Sequence, residues 1–348
     1  MVIISMRNTL ISTGLMAVLM LLAGTAAAQK QAAPQLPLFG PYKHINMGLD
    51  LPSTVVTGTV RGKARPLATA SKHTLPKGVS VLSLAFASGE CGDEHWGGVP
   101  AQKLADANVQ RLNQAGLPYI ISTGGEGGVF TCGTDAGFEK FVQRYVSPKL
   151  LGFDFDIEST QTEEGIRDLV QRLPLAQKNH PTLRFSFTLA TFASIDGSGA
   201  SLNATGEKVM KALQDFGVQG YVINLMVMNY GPGTAANCVV RQDRCDMAAS
   251  AEQAVKNLQT KYQLPPSQIA ITAMLGVNDV VSNVFTPQDA RHLARYARKQ
   301  GLAGLHYWSL DRDRPCAKGA TAVSPSCSSL NTAPADAFIR AFLHGLKS

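Results

Sequence analysis

The chain is predicted to fold as a (β/α)8 TIM barrel in a single domain, and three observations predict it. Eight strand-like runs recur between residue 41 and the C-terminus, most of them separated by helical stretches. Most of the runs are apolar on both faces, as strands enclosed by a helix layer must be. About 320 residues remain once an N-terminal leader is set aside, the size of one large barrel.

The leader is read from its three parts. Arg7 supplies a positive start, an apolar run extends from Leu10 to Ala23, and Ala26-Ala27-Ala28 offers small residues before Gln29. Residues 1–28 are therefore expected to be a secretory signal peptide, and the mature protein to be secreted, extracellular or periplasmic. The apolar run is short for a membrane span of ~20 residues, so no membrane association is expected after cleavage. Residues 29–40, rich in Gln, Ala and Pro, read as a linker, and residues 41–348 as the barrel.

The strand candidates are Tyr42–Asn46, Val79–Ala87, Leu117–Thr123, Leu150–Glu158, Leu183–Ala190, Tyr221–Tyr230, Ile269–Leu275 and Gly304–Leu310. Helices are expected at Asp106–Ala115, Phe138–Val146, Glu163–Leu173, Ala251–Tyr262 and Pro287–Gln300. Residues 48–78 carry the weakest pattern, with one short helix expected near Pro66–Lys72. The rival fold, a doubly wound open sheet, wants a glycine-rich phosphate turn after an early strand. Ser122-Thr123-Gly124-Gly125 follows a strand but lacks the GxGxxG spacing.

Charge and cysteine usage narrow the function classes. The formal charge of +7 falls to +6 without Arg7, and the basic residues are scattered. No nucleic-acid partner is expected from such a distribution. Six cysteines in an exported chain suggest disulfides, with fifteen possible pairings. Closeness in the chain favours Cys238 with Cys245 and Cys316 with Cys327, which leaves Cys91 with Cys132. No cysteine pair has the Cys-x-x-Cys spacing that zinc usually takes, so no metal is expected. No cofactor is expected either, and the protein is expected to act as a monomer.

The chemistry-bearing segment is Leu150-Leu151-Gly152-Phe153-Asp154-Phe155-Asp156-Ile157-Glu158. Successive strand side chains point to opposite faces. Phe153, Phe155 and Ile157 then share the face toward the helices, and Asp154, Asp156 and Glu158 share the barrel interior. Stacked, buried carboxylates resist ionisation, so at least one proton is expected among them near neutral pH. A solvated edge strand would also carry such acids, but its neighbours would not be apolar on both faces. Glu158 lies highest, nearest the C-terminal mouth where active sites of this fold sit, and suits a general acid. Asp156, one step below, is placed to bind Glu158 or a substrate, and Asp154 to tune both.

In this segment the chain resembles glycoside hydrolase family 18, whose fourth-strand signature is Asp-x-x-Asp-x-Asp-x-Glu. Three of the four acids are present, and Leu151 stands in place of the first. Ser122-Thr123-Gly124-Gly125 is similar to the family's third-strand Ser-x-Gly-Gly. Asn224 to Tyr230 is similar to its sixth-strand segment, with Met228 and Asn229 where many members carry Tyr and Asp. Tyr307-Trp308-Ser309 is similar to its eighth strand, whose Trp floors the sugar site. The likeness spans roughly residues 41 to 343.

The resemblance implies a retaining, substrate-assisted chitinase cleaving β-1,4-linked N-acetylglucosamine polymers, with oligosaccharides containing that sugar as partners. It implies Glu158 as acid and base, with Asp156, Asp154 and Tyr230 completing the catalytic set. Trp308, Asn229, Met226, Tyr42, Gly124 and Gly125 are the expected substrate contacts. Either Asn229 or Tyr230 would hold the acetamido oxygen. Tyr230 can do so only if the sixth strand ends and bends before it, because one residue of offset turns a strand side chain to the other face. The alternatives are a chitin-binding lectin, whose members typically lack the terminal Glu, and an endo-β-N-acetylglucosaminidase acting on N-glycans. No tail module for crystalline chitin follows the barrel, so soluble oligomers are the expected better substrate.

The other singled-out residues have plainer readings. Trp96 is expected either to line the cleft or, the favoured reading, to pack under the Cys91–Cys132 pair, and His306 to pack within its strand. Met226 and Met274 are expected in the barrel core. Asp311-Arg312-Asp313-Arg314 reads as an ion-pair network at the barrel rim, and Asn203-Ala204-Thr205 as a chance glycosylation sequon.

Overall fold

Eight parallel strands close into a barrel: β1 Leu38–His44, β2 Leu82–Ala87, β3 Tyr119–Gly124, β4 Leu150–Asp156, β5 Arg184–Ala190, β6 Val222–Met226, β7 Ile269–Met274 and β8 Gly304–Trp308. Each pairs with its neighbours in sequence, and β1 closes the ring by pairing with both β2 and β8. The computed structural model describes residues 1–2, 36–60, 63–317 and 322–348. The expected signal peptide falls, apart from its first two residues, outside the described residues, as does most of the expected linker. Strand β1 begins at Leu38, inside the stretch read as linker, because Phe39 to Tyr42 are buried against β8 and β2.

The outer layer among the described residues is α1 Ala101–Gln114, α2 Asp135–Tyr145, α3 Glu163–Asn179, α4 Ala204–Asp215, α5 Met247–Tyr262, α6 Pro287–Gln300 and α7 Ala337–Lys347. The starts of α2 to α6 follow from capping. Thr134, Thr162, Asn203 and Asp246 each accept an orphan N–H in the first turn. Thr286 and Asp289 form a reciprocal capping box ahead of Pro287, and Gly301 ends α6 with φ 67°. Helices α4 and α7 are additions to the expected set. Both carry buried residues at helical spacing: Val209, Met210 and Leu213 in α4, and Phe338, Ile339, Phe342 and Leu346 in α7.

The helix expected near Pro66–Lys72 is not formed. Residues 49–73 fold instead into short antiparallel pairs, with Val55–Val60 against Lys63–Pro66 and Ala68–Thr69 against Lys72–His73. The run Val55-Val56-Thr57-Gly58-Thr59-Val60 is rich in β-branched residues, which favour extended backbone.

The three proposed cystine pairs are formed: Cys91–Cys132, Cys238–Cys245 and Cys316–Cys327. The Asp311–Arg314 segment differs from the expected ion-pair network, because the side chains of Asp311, Arg312 and Asp313 turn to different partners. Asp311 pairs with buried Lys43 at 2.6 Å. Arg312 donates to the carbonyls of Leu275, Val277 and Ser324. Asp313 accepts from the N–H groups of Phe338 and Ile339 and so ties the start of α7 to the barrel.

Candidate active site

Strand β4 sorts its side chains as alternation requires. Phe153 and Phe155 face outward into an aromatic layer with Phe141 of α2 and Phe185 of β5, at centroid distances of 4.8 to 6.4 Å. The acids face inward. Gly152 makes the close packing possible, since a Cβ there would lie 1.8 Å from the Arg184 carbonyl oxygen.

Asp154 is fully enclosed and does not line the cavity above it. Its carboxylate accepts hydrogen bonds from Tyr42 (2.9 Å), Ser122 (2.8 Å), Ser186 (2.7 Å) and Thr188 (2.9 Å). Burial pushes its pKa up, and these four hydroxyls pull it back. Tyr42 is thereby part of the network under the site, and its hydroxyl also accepts from Asn224 at 2.9 Å. Asp156 sits one step higher with one carboxyl oxygen unpartnered. Burial pushes it well above the ordinary range, and the charges of Glu158 and Asp154 add to the shift.

Glu158 lies two residues beyond the end of β4, so the acids rise from the barrel interior onto the loop. It stands in a cavity of about 570 Å³ at the C-terminal mouth. Its pKa is raised to about 7, first by burial and then by Glu126 and Asp279. The expected retention of a proton among the stacked, buried β4 acids thus gains a contribution from outside the strand. The charges acting on Glu158 arrive from the loops after β3 and β7.

The Gly-Gly turn explains Glu126. Gly124 and Gly125 have φ of 79° and 80°, and a Cβ on either would collide, with the Asp156 carbonyl oxygen at 2.1 Å or with the Phe86 ring at 2.6 Å. The Gly125 N–H donates to the Asp156 carbonyl at 3.1 Å. Neither glycine lines the cavity, in contrast to their expected role as substrate contacts. They fold the loop tightly over β4 and leave Glu126 at the mouth.

The aromatic floor is Trp308, half-buried at the end of β8. Its ring stacks on Phe86 of β2 at 5.4 Å and 17°, with Tyr42 at 6.2 Å and His44 at 5.4 Å on other sides. Phe86 carries no sequence signal beyond that of a buried strand residue. Met226, at the end of β6, lines the cavity, and so do Met274 and Thr188.

Asn229 and Tyr230 differ in geometry. Strand β6 stops at Met226, and Asn229 takes a left-handed φ of 51°, so the chain bends before Tyr230. Tyr230 is 3 % exposed, lines the cavity, and its hydroxyl has no hydrogen-bond partner. The Asn229 side chain is engaged instead: its Nδ2 donates to Asp279 at 2.8 Å and its Oδ1 accepts from the Val280 N–H at 3.1 Å.

Several other expected residues occupy structural positions. Trp96 is fully buried and donates to the Tyr145 hydroxyl at 2.8 Å. His306 is buried, with burial and then Arg184 lowering its pKa to about 3. Asn203 of the sequon caps α4 through Gly206. Among the described residues, one acid–thiol grouping, Glu90 with Cys91 and Cys132, approaches metal-ligand spacing, but its sulfurs are joined in a disulfide.

No family model matches the chain. It is 25% identical over 251 residues to a probable bifunctional chitinase/lysozyme of Escherichia coli (strain K12), covering 68% of this chain and 28% of that protein. It is 26% identical over 225 residues to endochitinase 11 of Metarhizium anisopliae, covering 61% of this chain and 43% of that one. The chain thus spans less than half the length of either relative. Its structure is similar to the catalytic domain of a hyperthermophilic chitinase from Pyrococcus furiosus, with TM-score 0.65 and 27% identity over 90% of this chain and 97% of that one. Catalytic-site mutants of active domain 2 of the thermostable chitinase from the same organism, complexed with chito-oligosaccharides, match with TM-score 0.64, 26% identity and the same coverage. A closed parallel barrel, an inward acid ladder on its fourth strand and these likenesses make the chain similar to chitinases and support the resemblance to glycoside hydrolase family 18.

Proposed function

We propose that the chain is a secreted glycoside hydrolase that cleaves β-1,4-linked N-acetylglucosamine polymers with retention, using the substrate's own acetamido group as nucleophile. The observation that carries this reading is Glu158, a carboxyl in the mouth cavity with a pKa near 7. An acid so poised can both give and take a proton at neutral pH.

Glu158 protonates the glycosidic oxygen as the C1–O bond breaks. The acetamido carbonyl oxygen bonds to C1 from the opposite face and forms an oxazolinium ring. Asp156, with its free carboxyl oxygen, accepts the acetamido N–H, and the unpartnered Tyr230 hydroxyl donates to the acetamido oxygen. A water then gives its proton to Glu158 while its oxygen bonds to C1 and the ring opens. Trp308 offers an aromatic plane to the C–H face of the sugar. This chemistry needs an N-acetyl group at C2, and the chitinase names of the relatives support chitin-type chains over N-glycans. Three disulfides suit an oxidising compartment, which supports the secreted location.

The test is release of chromophore from a chromogenic N-acetylglucosamine oligomer by the wild type and by Glu158→Gln. Turnover should fall by about 10²–10⁴-fold in the variant. Binding of the oligomer by the wild type without turnover would replace the hydrolase with a lectin.

A further inference from the structure

We propose that Asn229 is a positioning residue of this site: it laces the loop after β6 to the loop after β7, and so sets both the Tyr230 hydroxyl and the Asp279 carboxylate around Glu158. The proposal rests on the reading of Glu158 as the acid.

Three hydrogen bonds radiate from this one residue. Its backbone N–H donates to Asn278 Oδ1 at 3.2 Å, its Nδ2 to Asp279 Oδ2 at 2.8 Å, and its Oδ1 accepts from the Val280 N–H at 3.1 Å. Asn278 is itself anchored, donating to the carbonyls of Met274 and Gly276 at 3.1 Å each. A second stitch follows where Asn283 donates to the Gly231 carbonyl at 3.0 Å. The seam thus runs from the end of β7 to the residues on either side of Tyr230.

The residue type suits the place. Asn enters the left-handed region at lower cost than most residues, and Asn229 sits there at φ 51°. Its amide presents a donor to a carboxylate and an acceptor to an N–H at once, which aspartate cannot do without setting two carboxylates side by side. The consequence reaches the chemistry from two sides. Tyr230, the next residue, lines the cavity, and its buried hydroxyl has no hydrogen-bond partner. Asp279, held by Nδ2, lines the same cavity as Glu158. The charged groups facing Glu158 there are Asp156 from β4, Glu126 from the loop after β3 and Asp279 from the loop after β7. Among the described residues lining the cavity none is Lys, Arg or His.

The experiment is a double-mutant cycle on a chromogenic N-acetylglucosamine oligomer with N229G, Y230F and N229G/Y230F. Glycine keeps the left-handed backbone and removes only the stitching side chain. N229G should lower kcat/KM by about tenfold or more, and Y230F should cost much less in the N229G background than in the wild type. In N229G the alkaline limb of the pH profile should also move down by about half a pH unit, because a released Asp279 no longer presses on Glu158. Independent, multiplying losses with an unmoved limb would overturn the proposal and leave Asn229 a merely structural residue. If N229G does not fold, Asp279→Ala cuts the same tie from the opposite loop, and Y230F must then cost much less in that background than in the wild type. If the wild type turns nothing over, the hydrolase reading fails first. The cycle is then read in the Kd for the oligomer, where additive effects sink the seam by itself.

Discussion

Replacing Glu158 with Gln should make the protein more stable at neutral pH while abolishing its proposed chemistry. Glu158 has its pKa raised from the ordinary 4.5 to about 7 in the folded protein. A carboxyl whose folded pKa lies above its unfolded value binds its proton more tightly when folded. The stability this contributes is fully present below about 4.5 and is lost as pH rises through 7. Each pH unit between those values corresponds to about 1.4 kcal/mol, an upper limit of about 3.4 kcal/mol. The side chain is partly open to solvent, which screens the neighbouring charges, so about half of that limit, roughly 1.5–2 kcal/mol, is the expected effect. Gln has nearly the same shape and never ionises. The difference in unfolding free energy between variant and wild type should therefore be small at pH 4, grow between about 4.5 and 7, and stay level above. Urea unfolding at a series of pH values measures it, and thermal melts should show a gain of a few degrees at pH 8. A difference independent of pH, or a variant less stable than the wild type at pH 8, would refute the placement of a buried, repelled carboxyl at this position.

Further outcomes follow from other parts of the molecule. The same titration should appear in kcat/KM, which is expected to fall about tenfold per pH unit above 7; a profile flat to above pH 9 would show that Glu158 is not the proton donor. Lys43→Met should cost about 3–5 kcal/mol in denaturant unfolding, because it strands the buried Asp311 carboxylate; burial already pushes both partners toward their neutral forms. Removing the Cys91–Cys132 bridge, which closes a separation of 41 residues, should cost up to about 4 kcal/mol by loop entropy, measured as a loss of unfolding free energy in C91A/C132A. Gly125→Ala should cost about 1–3 kcal/mol for its backbone alone, and by displacing Phe86 from Trp308 it should also lower turnover, read in a melt and an initial-rate assay.

Much of the fold was legible because its signals are local. Each of the eight strands is a short run whose burial shows in its composition, and all eight lie where the runs predict them, with ends shifted by a few residues. Segment 49–73 was hard to read because its strands are short, although the β-branched run at Val55–Val60 was available as a signal. Helices α4 and α7 went unread although Asn203 and the Phe338–Phe342 spacing were available as signals. The pairing of six cysteines was readable as a preference from chain separation, and the barrel brings those pairs into bonding distance.

By itself the sequence determined the acid ladder, since alternation along one strand depends on nothing but backbone geometry. It also determined the barrel class and the identity of the acid at the mouth. Tertiary structure decided what surrounds that acid. Glu126 and Asp279 reach Glu158 from loops far away in the chain, and their charges act through space rather than along the backbone. It likewise decided that Tyr230 faces the cavity while Asn229 stitches two loops, because a left-handed turn at the end of β6 cancels the alternation that a strand would impose. Side-chain direction within a strand is a property of the local chain, whereas the direction of a loop is set by what it packs against.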